Sequence, residues 1–222
     1  MRLVNANYCL DFQFIEGIPE ILVLESEFIF RNIAEELWNQ CSGGDGAFVL
    51  SDGKTLKIDR YANFISNPFE IDFKNRKICA ALYSKMSEIG NEKVFEKSTI
   101  NAEMIKVIEE IATSVNYPGI TFRLDFDWTD LFKLYDVKIE SPGNFLSRLI
   151  EYIKVMSNLC GIKCFCFLNL KNYLSQEEIL NFYQEASYNK VILLLIESFE
   201  SQKIGQEHIT IVDKDFCVIR KN

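Results

Sequence analysis

Positive charge is in short supply in this 222-residue sequence: 24 Lys and Arg stand against 32 Asp and Glu, a formal net charge of −8. An acidic molecule lacks the uniformly basic surface of most nucleic-acid binders, so any polyanion it holds must meet cations gathered in one place. Histidine is nearly absent. A Ser-His-Asp or Cys-His arrangement would have to use His208, which lies beside an apparent edge strand near Glu207 and reads as an ordinary surface histidine. The seven cysteines are odd in number, and Cys79, Cys164, Cys166 and Cys217 sit inside apolar stretches, which suits reduced thiols better than a disulfide framework. A zinc site from Cys160, Cys164 and Cys166 is not expected, because strand alternation turns Cys164 and Cys166 into the core and His208 is remote. No apolar run reaches membrane-spanning length, and Met1 to Tyr8 carries no charged patch followed by a long apolar stretch. The expectation is a cytoplasmic protein with no membrane partner.

What the sequence does have is core: 48% of its residues are hydrophobic, enough for one domain of ordinary size or two small ones. Ile21 to Glu25 is a β-rich apolar run of the kind buried in a sheet, and Ser26 caps a helix through about Gln40. The breaker cluster Gly43-Gly44-Asp45-Gly46 precedes two short strands, Ala47 to Leu50 and Lys54 to Ile58, which Asp52-Gly53 joins in a hairpin of type I′. From about residue 67 to 140 the texture is helical, with stripes Ile78, Leu82, Met86, Ile89 and Ile100, Met104, Ile108, Ile111. Ser141-Pro142 starts a helix over Asn144 to Leu159, which Gly161 stops. Strand–helix alternation then resumes with Cys164 to Leu168, a Ser175/Glu178 capping box, Val191 to Ile196, and short closing strands at Ile209 to Val212 and Phe216 to Ile219. The predicted architecture is a discontinuous α/β domain over residues 1–66 and 141–222, with residues 67–140 as a helical insertion.

Three constellations carry chemistry. Gly53-Lys54-Thr55 looks like the end of a phosphate-binding loop, yet Phe48 stands where that motif needs glycine and a strand follows instead of a helix, so a turn is expected. In Leu124 to Asp130, the carboxylates Asp125, Asp127 and Asp130 meet a loop-to-helix transition. They suit either a calcium ion or helix capping, and capping and coordination can coexist. Residues 51–106 hold ten positive side chains against eight acidic ones, +2, which leaves −10 for the rest. If Asp72 caps a helix, Lys74, Lys77 and Lys85 share an arc of roughly 80° on which phosphates can lie.

The order Ile18-Pro19-Glu20-Ile21-Leu22-Val23-Leu24-Glu25, then Gly161 to Asn169 with Tyr173-Leu174-Ser175-Gln176-Glu177-Glu178, then Val191 to Glu197 and Asp213-Lys214-Asp215-Phe216, resembles the short Csn-two proteins of type II-A CRISPR systems nearly end to end. That resemblance implies a P-loop-NTPase-like head that has lost its nucleotide motif, an α-helical leg and a homotetrameric ring. It implies binding of linear double-stranded DNA ends along a lysine-lined inner surface, dependence on calcium, and service in spacer acquisition beside the CRISPR integrase proteins and the Cas nuclease, with no enzymatic activity. The family's basic hairpin falls on Lys54 and Lys57, a leg lysine on Lys77, and the acidic calcium segment on Asp125-Phe126-Asp127; Lys74 and Lys85 extend the basic set. A glutamate the family carries in the next helix is Phe132 here, so Asp130 or a water would have to replace it, and Tyr117-Pro118-Gly119 shortens the preceding helix. The competing readings are a nucleotide-dependent P-loop-like enzyme and an adaptation scaffold that does not touch DNA.

Overall fold

The computed structural model describes residues 1–115 and 117–221. Its strands are β1 (Arg2–Asn5), β2 (Leu10–Gln13), β3 (Glu20–Leu24), β4 (Phe48–Asp52), β5 (Lys54–Leu56), β6 (Ala62–Ile65), β7 (Cys164–Leu168), β8 (Ile192–Glu197), β9 (His208–Val212) and β10 (Val218–Lys221). Its helices are α1 (Glu27–Cys41), α2 (Ile58–Tyr61), α3 (Arg76–Gly90), α4 (Val94–Val115), α5 (Trp128–Leu134), α6 (Phe145–Cys160) and α7 (Gln176–Tyr188). The chain divides into two compact units, Met1–Asp72 with Ser141–Asn222, and Phe73–Glu140.

In the first unit β9, β3, β8, β7 and β6 lie parallel in that spatial order, and β10 joins β9 antiparallel at one edge. A parallel sheet needs cover on both faces, which is why β3 and β8 are near-continuous runs of Ile, Leu and Val with almost no exposed side chain. On one face Leu22, Leu24, Cys164, Cys166, Leu194 and Ile196 meet Ile29, Ile33 and Leu37 of α1 and the apolar side of a second, antiparallel sheet ordered β2-β1-β4-β5. On the other, Phe182 of α7 meets Phe167 edge-on at 5.5 Å between ring centres, and α6 packs beside α7. Buried Gln40 fastens α1 to the small sheet by donating to Phe48 O and accepting from Phe48 N, both at 3.0 Å.

The sequence missed β1, β2 and β6. Each is four residues long, with too few apolar positions to stand out before its neighbours are known. Residues 67–72, expected in the helical insertion, belong to the first unit: Pro68 is buried, and Phe69 stacks on Phe145 at 5.0 Å and meets Tyr173 edge-on at 5.1 Å. The cap of α6 is Asn144, whose side chain accepts the Ser147 N–H at 2.7 Å, rather than Ser141. Gly161 ends that helix in the left-handed region, φ +72°, and the capping box of α7 forms as Ser175 and Glu178 require. No described helix is long and apolar enough to cross a membrane.

One polar knot is buried in this unit. Lys171 pairs with Glu207 at 2.8 Å, the two side chains 5% and 0% exposed, and Tyr183 OH and the Ile204 N–H also donate to Glu207. Removing one partner of such a pair strands a buried charge, so Lys171→Met is expected to lower stability by about 3–5 kcal/mol in denaturant unfolding. Nearby Glu197, closing β8, accepts the Lys171 backbone N–H at 3.2 Å, and burial pushes its carboxyl from 4.5 up to about 7. Between those values the folded protein keeps a proton that the unfolded chain has lost, so stability falls as pH rises through that window and is level above it. Glu197→Gln is expected to raise the melting temperature over wild type at about pH 8 and to leave it nearly unchanged at about pH 4.5, as thermal melts across pH would record.

Candidate nucleic-acid interface

The hairpin forms with Lys54 in β5, but β5 ends at Leu56 and Lys57 stands at the N-cap of α2 rather than in a strand reaching Ile58; nor is the turn type I′. That turn needs positive φ at two successive residues, and among Asp52 and Gly53 only Gly53 has it, at +69°; Asp52 lies opposite Lys54 in the ladder. Lys54 and Lys57 are exposed, and neither enters a salt bridge among the described residues. Gly53-Lys54-Thr55 is thus engaged in a strand pair, and its N–H groups do not converge on a phosphate. The connection from β3 to α1 consists of Glu25 and Ser26 alone, too short for a glycine-rich cradle.

In the second unit α3 begins later than the sequence suggested. Asn75, not Asp72, is the cap, its side chain accepting the Ile78 N–H at 2.9 Å. Lys74 therefore precedes the helix and leaves the three-lysine arc; Lys77 and Lys85 remain on α3, eight residues and roughly 80° apart. Both are exposed, and Lys85 pairs with Glu88 at 3.2 Å. Tyr83 OH donates to Val137 O at 3.0 Å, and α3 and α5 flank an open groove of about 590 Å³ lined by Arg76, Cys79, Tyr83, Ser87 and Lys133. Trp128 seats against Gly90, where an added Cβ would lie 2.9 Å from the indole. The stripe Ile100, Met104, Ile108 and Ile111 falls on α4 as expected, yet α4 has no buried residue: Phe95 is 80% and Ile111 60% exposed.

Asp125, Asp127 and Asp130 all act on Arg123 but do not group around one metal position. Asp125 pairs with Lys97 at 3.3 Å and accepts the N–H of Phe126; Asp127 stands at the N-cap of α5 without a side-chain cap bond; Asp130 pairs with Arg123 at 2.5 Å. Arg123 holds the Asp130 carboxyl below its ordinary value by hydrogen bonding, and Asp130 raises Arg123 in return. Among the described residues no three His, Cys, Asp or Glu side chains are grouped so as to hold a metal ion, so the acidic segment as arranged does not fit calcium. Sequence reasoning missed Lys97 and Arg123 as its partners; Arg123 is two residues away, but nothing local signals Lys97, 28 residues earlier. His208 likewise departs from expectation: its Nδ1 lies 3.0 Å from Oε1 of buried Glu20, whose carboxyl burial pushes up.

A family model described as CRISPR-associated protein (Cas_Csn2) matches residues 40–216 of the 222. The chain belongs to that family. The Cas_Csn2 match spans the basic hairpin, the whole second unit, the acidic segment and the sheet strands from β4 to β9. Membership makes this a CRISPR-associated protein of the adaptation branch. No curated protein matches the chain.

Proposed function

We propose that this Cas_Csn2 protein captures linear double-stranded DNA by its ends during CRISPR spacer acquisition, as a non-catalytic homotetrameric ring in the cytoplasm acting beside the integrase proteins and the Cas nuclease. The observation that carries the reading is charge segregation: residues 51–106 are net +2 while the remainder is −10. Lys54 and Lys57 in the first unit and Lys74, Lys77 and Lys85 in the second are all exposed. Lysine is a compact point charge suited to phosphates rather than to bidentate reading of bases, so sequence-independent binding is the expected mode. The acidic remainder disfavours DNA elsewhere on the surface.

Self-association is supported by α4, whose apolar side chains stay uncovered over 22 residues; contiguous apolar surface of that kind marks an association face. The head reads as a P-loop-NTPase-like core without its nucleotide motif, supported by five parallel strands and the two-residue β3–α1 connection. Calcium has no part in this reading. Mobility shifts of a linear duplex at low salt test it: wild type is expected to shift duplexes of unrelated sequence alike, and Lys54→Glu/Lys57→Glu/Lys77→Glu to abolish the shift. An unchanged shift would remove those lysines from the interface, and no shift by wild type would leave a scaffold that does not touch DNA.

A further inference from the structure

The acidic segment of the second unit is where family expectation and geometry part company, and the geometry there is specific. A calcium ion draws six to eight oxygens to about 2.3–2.6 Å, mostly carboxylates and backbone carbonyls. Three of the oxygens that segment offers are already taken by side chains. Asp125 Oδ2 receives Lys97 Nζ at 3.3 Å, Asp130 Oδ2 receives Arg123 at 2.5 Å, and the carbonyl of Leu124 accepts from Asn101 Nδ2 at 2.8 Å. Lys97 and Asn101 are four residues apart on α4, so one helix face presents both donors to the segment. Lys97 is also 5.3 Å from the ring centre of Phe126, and its side chain is only 26% exposed where Asp125 is 68% exposed. One ammonium thus serves a carboxylate and an aromatic face at once. Phe126 is itself buried, edge-on to Trp128 at 5.5 Å, and Trp128 stacks on Phe132 at 6.0 Å, which carries the contact from α4 into α5.

We infer that Lys97 and Arg123 are resident counter-ions of the Asp125–Asp130 segment and close it onto α4 in place of a divalent cation, so that this member of the family needs no calcium there. A calcium ion drawing on Asp125 Oδ2 and Asp130 Oδ2 would displace Lys97 from Asp125 and from the Phe126 ring, and Arg123 from Asp130. Phe132, packed on Trp128 in α5, has no oxygen to offer in exchange. The inference concerns the second unit alone and holds whether or not the protein binds DNA.

The test compares thermal melts of the full chain in excess EDTA and in millimolar calcium chloride, with calorimetric titration of calcium chloride into the wild-type protein. Wild type is expected to melt at the same temperature in both and to give no binding heat. Lys97→Met/Arg123→Gln is expected to melt a few degrees lower in EDTA, with faster amide exchange across residues 123–130 and none gained in α6. A wild-type melting temperature that rises with calcium, a binding isotherm for calcium, or a double variant that melts and exchanges like wild type would each overturn the inference. The wild-type titration decides the matter even if the double variant does not fold.

Discussion

Apolar cover on both faces of the parallel sheet is the constraint from which the rest of the molecule follows. With α1 and the small sheet on one side and α7 with α6 on the other, β3, β7 and β8 have no room for a charge except at their ends. Where charge does enter, it is fully partnered, as in Lys171 with Glu207, or held back from ionising, as in Glu197. The sheet is therefore a frame rather than a site. Chemistry directed outward has to live off the frame: on the β4–β5 hairpin of the first unit, and on the helices of the second.

Those parts are unlike the frame. They hold the exposed lysines Lys54, Lys77 and Lys85, and they include a 22-residue helix whose apolar side chains are uncovered. A helix of that length gains most of its stability from packing its apolar stripe, so an uncovered α4 points to a partner surface. A second copy of the chain is the partner the proposed ring requires. The same helix anchors the acidic segment through Lys97 and Asn101, so α4 joins the proposed assembly face to the part of the leg where calcium would otherwise be expected.

Much of this was legible in the sequence wherever one residue's chemistry fixes its local backbone. Ser175 and Glu178 announce a capping box, Gly161 a left-handed stop, and Cys164 to Leu168 a two-faced strand, and each forms as read. Capping failed where several polar residues compete: Asn75 was passed over for Asp72 and Asn144 for Ser141, since any of these can accept an N–H and only the start of the helix decides. The four-residue strands β1, β2 and β6 exist because of their neighbours, and no window of sequence contains those neighbours. The candidate site was legible in part. The exposed lysines could be named, but the fate of the acidic segment could not, because its answer lies 28 residues away in Lys97.

The account turns on cations that meet phosphates without reading bases, and the salt dependence of affinity reports that contact directly. Each neutralised phosphate adds about −0.9 to the slope of log affinity against log salt. Titrating linear duplexes of two unrelated sequences over a range of salt is predicted to give one common slope, steeper than about −2.7, the value for three phosphate contacts. A slope near zero, or affinities that separate the two sequences at every salt concentration, would contradict it.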